Sequence, residues 1–99
     1  MVKLYVNHEP VTLRMGEYYN GNLAISLDCC EGPYATITVN LDGTLCPEYA
    51  YVDTNNCPWA EEFIEKYHLG ESTGLSRRSG YCEYPLYKFD IKKLEALER

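Results

Sequence analysis

The densest group of polar side chains is Asp53-Thr54-Asn55-Asn56, followed at once by Cys57, Pro58 and Trp59. Asx and threonine side chains close local turns and cap a following helix. The same oxygens, turned outward beside Trp59, would offer a ligand acceptors, and the sequence leaves both readings open. The block lacks the length and the later glutamate of a calcium loop, so it is not read as a metal site. Glu61, Glu62 and Glu65 then form one charged helical face, either a solvated surface or a carboxylate array that steers a basic partner. Arg77 and Arg78 lie in a glycine- and serine-rich stretch, where adjacent cations can grip a phosphate or carboxylate or simply remain solvated. Tyr81 and Tyr84 follow and add aromatic binding surface.

Nothing here announces a reaction. The cysteines at 29, 30, 46, 57 and 82 include one close pair, Cys29-Cys30, whose side chains point to opposite faces of a strand. Buried free thiols are the expected state, and no structural zinc site is expected. His8 falls in a turn and His68 at a helix end. His-Glu-x-x-His, P-loop and dinucleotide motifs are missing. No catalytic residue, cofactor or metal is therefore assigned, and a small enzyme built on Cys57 or His68 is the least supported class.

Ninety-nine residues, 45% of them apolar, make one compact domain. Ten of the thirteen aromatics are tyrosine, which suits half-buried strands and binding surfaces. A formal charge of −6 disfavours general attraction to nucleic acid or anionic lipid. The odd cysteine count and the alternating start Met1-Val-Lys-Leu-Tyr-Val argue for a reducing cytoplasm and against a secreted scaffold. No apolar run reaches bilayer-spanning length.

Period-two runs dominate the first half. Leu23, Ile25 and Leu27 share one face. Ala35, Ile37, Val39 and Leu41 share another, with Thr36, Thr38 and Asn40 opposite. Asn20-Gly21, Glu31-Gly32-Pro33 and Asp42-Gly43 are read as turns between them. Residues 17–52 then form a three-stranded meander, after a hairpin of 2–6 with 11–15 across Asn7–Pro10. The period changes after Pro58: Ala60, Phe63, Ile64 and Tyr67 make a helical stripe. Asn56 or Cys57 is the expected cap, Pro58 the first turn and Gly70 the stop. Residues 70–80 are expected to be a mobile loop. Tyr81–Phe89 reads as one more strand, with Pro85 at an edge or bulge. Asp90 caps a last helix carrying Ile91, Leu94 and Leu97. The expected fold is α+β: one antiparallel β-sheet of about five or six strands, with a central helix and a short C-terminal helix on one face.

Four blocks, Tyr34-Ala-Thr-Ile-Thr-Val-Asn-Leu, Asp53-Thr-Asn-Asn-Cys-Pro-Trp-Ala-Glu-Glu-Phe, Gly70 with Thr73-Gly74, and Ser79-Gly-Tyr-Cys-Glu-Tyr-Pro-Leu-Tyr, resemble a small bacterial family carrying a domain-of-unknown-function label. Its members occur on conjugative elements, plasmids and phages. The resemblance covers most of residues 23–94 and brings no activity to carry over. It implies a mobile-element setting, in which small acidic proteins are often accessory or anti-defence factors, including inhibitors of CRISPR nucleases.

The expected function is non-enzymatic, stoichiometric binding of a host protein, such as a nuclease or another nucleic-acid-handling enzyme. Asp53, Asn55, Asn56, Trp59, Glu61, Glu62, Glu65, Arg77, Arg78, Tyr81 and Tyr84 are the candidate binding residues. The alternative is a nucleic-acid-binding module using Arg77, Arg78, Lys88, Lys92 and Lys93. No membrane partner is expected, and the chain is a monomer or a homodimer paired through an edge strand.

Overall fold

The computed structural model describes residues 3–41 and 43–98. Met1, Val2, Asp42 and Arg99 lie outside the described residues, and with them the start of the expected first strand and half of the expected Asp42-Gly43 turn.

The described chain forms ten elements: β1 (Leu4–Val6), β2 (Glu9–Glu17), β3 (Leu23–Cys29), β4 (Gly32–Thr36), β5 (Thr38–Val39), β6 (Tyr49–Val52), α1 (Ala60–Lys66), β7 (Gly70–Ser79), β8 (Cys82–Phe89) and α2 (Ile91–Leu97). The α+β class holds, but the expected single sheet is two. Four antiparallel strands run in the order β1-β2-β3-β4 and four more in the order β5-β6-β8-β7.

The division occurs at Ile37. Its N–H donates to the carbonyl of Ile25 on β3 at 3.0 Å, and its own carbonyl accepts from Asp53 N, just past β6, at 2.8 Å. Ile37, between β4 and β5, is thus bonded to both sheets, and the chain switches from one to the other there. The expected alternation breaks at the same point. Ile37 and Thr38 are both buried, while Val39, expected in the core, is half-buried. Thr38 tolerates burial because its hydroxyl accepts from Ile25 N at 3.1 Å and meets the Tyr18 hydroxyl at 3.0 Å.

Turns also differ from expectation. The first hairpin closes with two residues, Asn7 and His8, both at positive φ (49° and 72°), the type I′ geometry that matches strand twist. A long connection, rather than a tight hairpin, links β5 to β6. Buried Asn22 pins it: its amide donates to Asn40 Oδ1 and the Gly43 carbonyl, and its Oδ1 accepts from Leu45 N.

Helix α1 begins later than expected. Trp59 is the cap residue and provides no side-chain bond. Cys57 N donates to the Asp53 carbonyl and Ala60 N to the Cys57 carbonyl, so successive turns carry the chain into the helix. Its stop is His68, at φ 55°, rather than Gly70. Leu69 N reaches the Ile64 carbonyl at 3.0 Å and His68 N the Glu65 carbonyl at 3.3 Å, a Schellman closure with buried Ile64 and Leu69 as its apolar pair. Asp90 caps α2 as expected, accepting from Lys93 N at 3.2 Å.

Residues 70–80, expected to be a loop, form β7 and part of its turn. Serine and glycine there conceal the strand because β7 is an edge exposed along most of its length. Its ladder with β8 shifts between Ser72 and Ser76. Pro85 sits at that irregularity, beyond the end of the β6–β8 ladder, where its missing N–H is tolerated.

Leu4, Val6, Leu13, Ile25, Leu27, Val52, Phe63, Ile64, Tyr87, Phe89 and Leu94 belong to one core cluster shared by both sheets and both helices. Glu98, just past α2, accepts from Met15 N on β2 at 2.8 Å. Gly70 is required for a different reason from helix termination: a Cβ there would lie 2.6 Å from the Lys88 carbonyl oxygen. We expect Gly70→Ala to destabilise the fold by about 1–3 kcal/mol in equilibrium urea unfolding, because backbone must move. Gly16→Ala, with no atom within 4 Å of the new Cβ, is the matched control and stays within about 0.5 kcal/mol of wild type.

Candidate functional site

Strand alternation sorts the side chains of each sheet into a core face and an outer face, and the two outer faces differ in chemistry. On the first sheet the outer face carries Thr12, Arg14, Ser26, Asp28 and Thr36. Its groups satisfy one another. Arg14 donates to both carboxylate oxygens of Asp28, at 3.0 and 3.1 Å, and the Ser26 and Thr36 hydroxyls lie 3.2 Å apart. The guanidinium bond holds the Asp28 carboxyl below its ordinary range.

On the second sheet the outer face is built from Val39, Tyr49, Tyr51, Tyr84 and Leu86, opposite the core residues Ala50, Val52, Tyr87 and Phe89. The register assembles them into a grid. Val39 neighbours Tyr51 and Tyr51 neighbours Leu86, while Tyr49 neighbours Lys88, and Lys88 in turn Glu71. Arg77 neighbours Tyr84. The tyrosines and Leu86 are half-exposed, so rings lie at the surface rather than in the core. The hairpin of β7 and β8 extends this face past Leu75, which is 64% exposed at the shift in the ladder, to a tip where Tyr81 is fully exposed. Of this grid, sequence reading named Tyr84, Arg77 and Lys88. It missed Leu86, and it missed Tyr49 and Tyr51, which the period-two pattern of Tyr49–Val52 could have placed on one face.

The Asp53 corner is tied internally. Asp53 is 8% exposed; its Oδ1 accepts from Asn56 N at 3.2 Å and its Oδ2 from the Asn56 side chain at 2.9 Å. Asn55 and Asn56 are exposed and Trp59 is half-buried. The Trp59 ring stands between Tyr34 and Phe63, with centroids 6.1 and 6.0 Å away, and Phe63 meets Tyr67 at 5.1 Å. A small cleft of about 90 Å³ opens beside this row, lined by Tyr5, Asn7, Trp59, Glu62 and Lys66 among others.

The three glutamates of α1 separate. Glu61 is half-buried and accepts from the Tyr87 hydroxyl at 2.7 Å, whereas Glu62 and Glu65 are exposed. Arg77 and Arg78 lie on opposite faces of β7, Arg77 across from Tyr84 and Arg78 across from Glu83. Lys88 and Lys92 line an open groove of about 560 Å³ with His68, Glu48, Glu71 and Asp90. Acids are therefore interleaved with the cations once read as one basic patch.

Cys57 and His68 are the groups considered for catalysis. Burial pushes the Cys57 thiol up, and the Asp53 carboxylate raises it further, the reverse of what a thiolate nucleophile needs. Cys57 donates to the Thr36 carbonyl, and it does not line the groove that holds His68. Cys29, Cys30, Cys46, Cys57 and Cys82 are free thiols. Among the described residues no three His, Cys, Asp or Glu side chains come together to hold a metal, and no helix is long and apolar enough to cross a membrane.

Two outcomes follow from the internal bonds. Asp53→Ala strips both acceptors from Asn56 and should cost about 1–3 kcal/mol in urea unfolding. Burial, then the Glu61 carboxylate, pushes the Tyr87 hydroxyl far above the ordinary tyrosine range. Its stabilising contribution is complete below the unfolded-chain value of about 10 and is lost as pH rises from there toward the folded value. Unfolding free energy should fall above about pH 10, and Tyr87→Phe should fall less steeply across the same interval.

A family described as a domain of unknown function, DUF4313, has a model that matches residues 12–99, from within β2 through α2. No curated protein and no solved structure gives a significant match. With both helices and every strand after β2 inside the matched span, the chain belongs to the DUF4313 family.

Proposed function

We propose that this is a non-enzymatic binding protein that docks onto another protein through the outer face of its second sheet and the hairpin extending it. The observation that carries the reading is the contrast between the two outer faces. The first is polar with its groups bonded to one another, while the second presents Tyr49, Tyr51, Tyr84 and Leu86 half-exposed and in register. Tyrosine gives large contact area at low rotamer cost and keeps a hydroxyl for a hydrogen bond, which suits an interface centre. Exposed Glu62 and Glu65, on a chain of net charge −6, favour encounter with a basic partner.

In its finer form the proposal places the protein in the cytoplasm of a bacterium as the product of a mobile element. Its partner there is a host nucleic-acid-handling enzyme, and inhibition by occupancy would be anti-CRISPR-like. Free thiols support the reducing compartment, and a nuclease's cationic channel is the kind of basic surface an acidic protein finds.

A second reading has one observation of its own: Arg77 neighbours Tyr84 across the ladder on the tyrosine face, the pairing of cation and ring used on single-stranded nucleic acid.

The test is affinity purification of the tagged protein from a bacterial host, with bound species identified by mass spectrometry and their affinity then measured. Tyr51→Ala and Tyr84→Ala, each confirmed folded by circular dichroism, should weaken the partner by about 2 kcal/mol, on the order of thirty-fold. Tyr19→Ala, at an exposed turn, should leave it unchanged. A partner bound equally by all four proteins refutes the docking face. Salt-sensitive binding of an oligonucleotide, lost in Arg77→Glu, would replace this reading with the second.

A further inference from the structure

The β7 edge carries a self-complementary charge pattern interrupted at its centre. In the order β5-β6-β8-β7, β7 is the last strand and has one side unpaired. Glu71 and Arg77 both lie on its outer face, across from Lys88 and Tyr84. Two copies joined edge to edge by antiparallel β7 strands are related by a two-fold axis normal to the sheet, which sets outer-face residues opposite outer-face residues. One such register places Glu71 against Arg77 of the second copy twice over, with Ser72 against Ser76. Other registers that keep the faces matched forgo this pair, or set Glu71 against Glu71 or Arg77 against Arg77.

The axis of the favourable register passes through Gly74, and there β7 departs from the ladder. Between the pairs Ser72–Tyr87 and Ser76–Pro85, β8 supplies Leu86 alone while β7 supplies Thr73, Gly74 and Leu75. The amides at this point are occupied from within the strand. Gly74 N donates to the Ser72 hydroxyl at 3.2 Å and Leu75 N to the Thr73 hydroxyl at 3.1 Å. The Thr73 hydroxyl in turn donates to the Leu86 carbonyl at 2.9 Å. Gly74 holds φ at 83°, open only to residues that tolerate the left-handed region. Bulges of this kind end pairing at sheet edges.

We propose that the Thr73–Leu75 bulge is a stop against self-association, placed on the dyad of the one register in which two copies of β7 match in charge. It keeps the chain monomeric and the second sheet's edge unjoined.

Removal of Thr73 and Gly74 tests this, because it leaves Leu75 opposite Leu86 in a regular ladder and preserves which face each flanking residue occupies. Light scattering at millimolar concentration should give a monomer for the natural chain and twice that mass for the shortened one. In the shortened chain Arg77→Glu should restore the monomer, and Glu71→Arg with Arg77→Glu should restore the dimer. A shortened chain that is folded and monomeric overturns the proposal. So does a natural chain that is dimeric and dissociated by Arg77→Glu. Should the shortened chain fail to fold, Ser72→Ala with Thr73→Val frees the two amides at full length; dimerisation of that variant supports the proposal and a folded monomer refutes it.

Discussion

Ile37 is the residue on which the architecture turns. Its N–H is bonded to one sheet and its carbonyl to the other, and its side chain is wholly buried. A backbone group left unpaired in that position would carry a full desolvation penalty, so the two sheets are held at one mutual position by bonds that neither could replace. Thr38 reinforces the joint from the next residue, where its hydroxyl stands in for a backbone acceptor to Ile25. Because the switch happens here, the face of β5 and β6 that would have continued the first sheet's polar exterior becomes the tyrosine surface.

Helix α1 secures the same joint from the core side. The Tyr67 hydroxyl accepts from Tyr5 N on β1, covering part of an edge that would otherwise be open, and Glu61 accepts from Tyr87 on β8. The seven-residue helix and its C-cap Tyr67 therefore grip both sheets by polar bonds, while Ala60, Phe63 and Ile64 fill the space between. Much of the aromatic and acidic content that reads from sequence as binding surface is used in this way. Trp59 and Glu61 are partners of other residues before they are available to a ligand.

What was legible in the sequence follows from how strongly each segment is patterned. Leu23, Ile25 and Leu27 alternate cleanly and are buried as read; the stripe at Ala60, Phe63 and Ile64 faces the core; Asp90 caps the last helix. Three features were not legible, each for a physical reason. The sheet switch is invisible because Ile37 has the side chain of any mid-strand core residue, and only its backbone bonds are unusual. The β7 strand is invisible because an edge exposed on both faces needs no apolar alternation. The role of Gly70 was misassigned because a glycine near a helix end has two common causes, a left-handed stop and a close backbone approach. His68 supplies the first and the Lys88 carbonyl demands the second. For the candidate site, Tyr84 and Arg77 were legible as residue types, but their meeting with Tyr49, Tyr51 and Leu86 depends on the β6-β8-β7 order, which only long-range pairing determines.

The bond from Met15 N to Glu98, with α2 lying on β2, has a consequence for synthesis. The two ends of that bond are 83 residues apart, so β2 leaves the ribosome long before its last acceptor exists. That bond forms only once α2 is in place, and loop-closure entropy must be overcome before the contact repays it. A nascent chain stalled short of Glu98 would carry the second strand with an unsatisfied amide and an unlatched helix. The emergence of Glu98, rather than the translation of any earlier element, completes this latch.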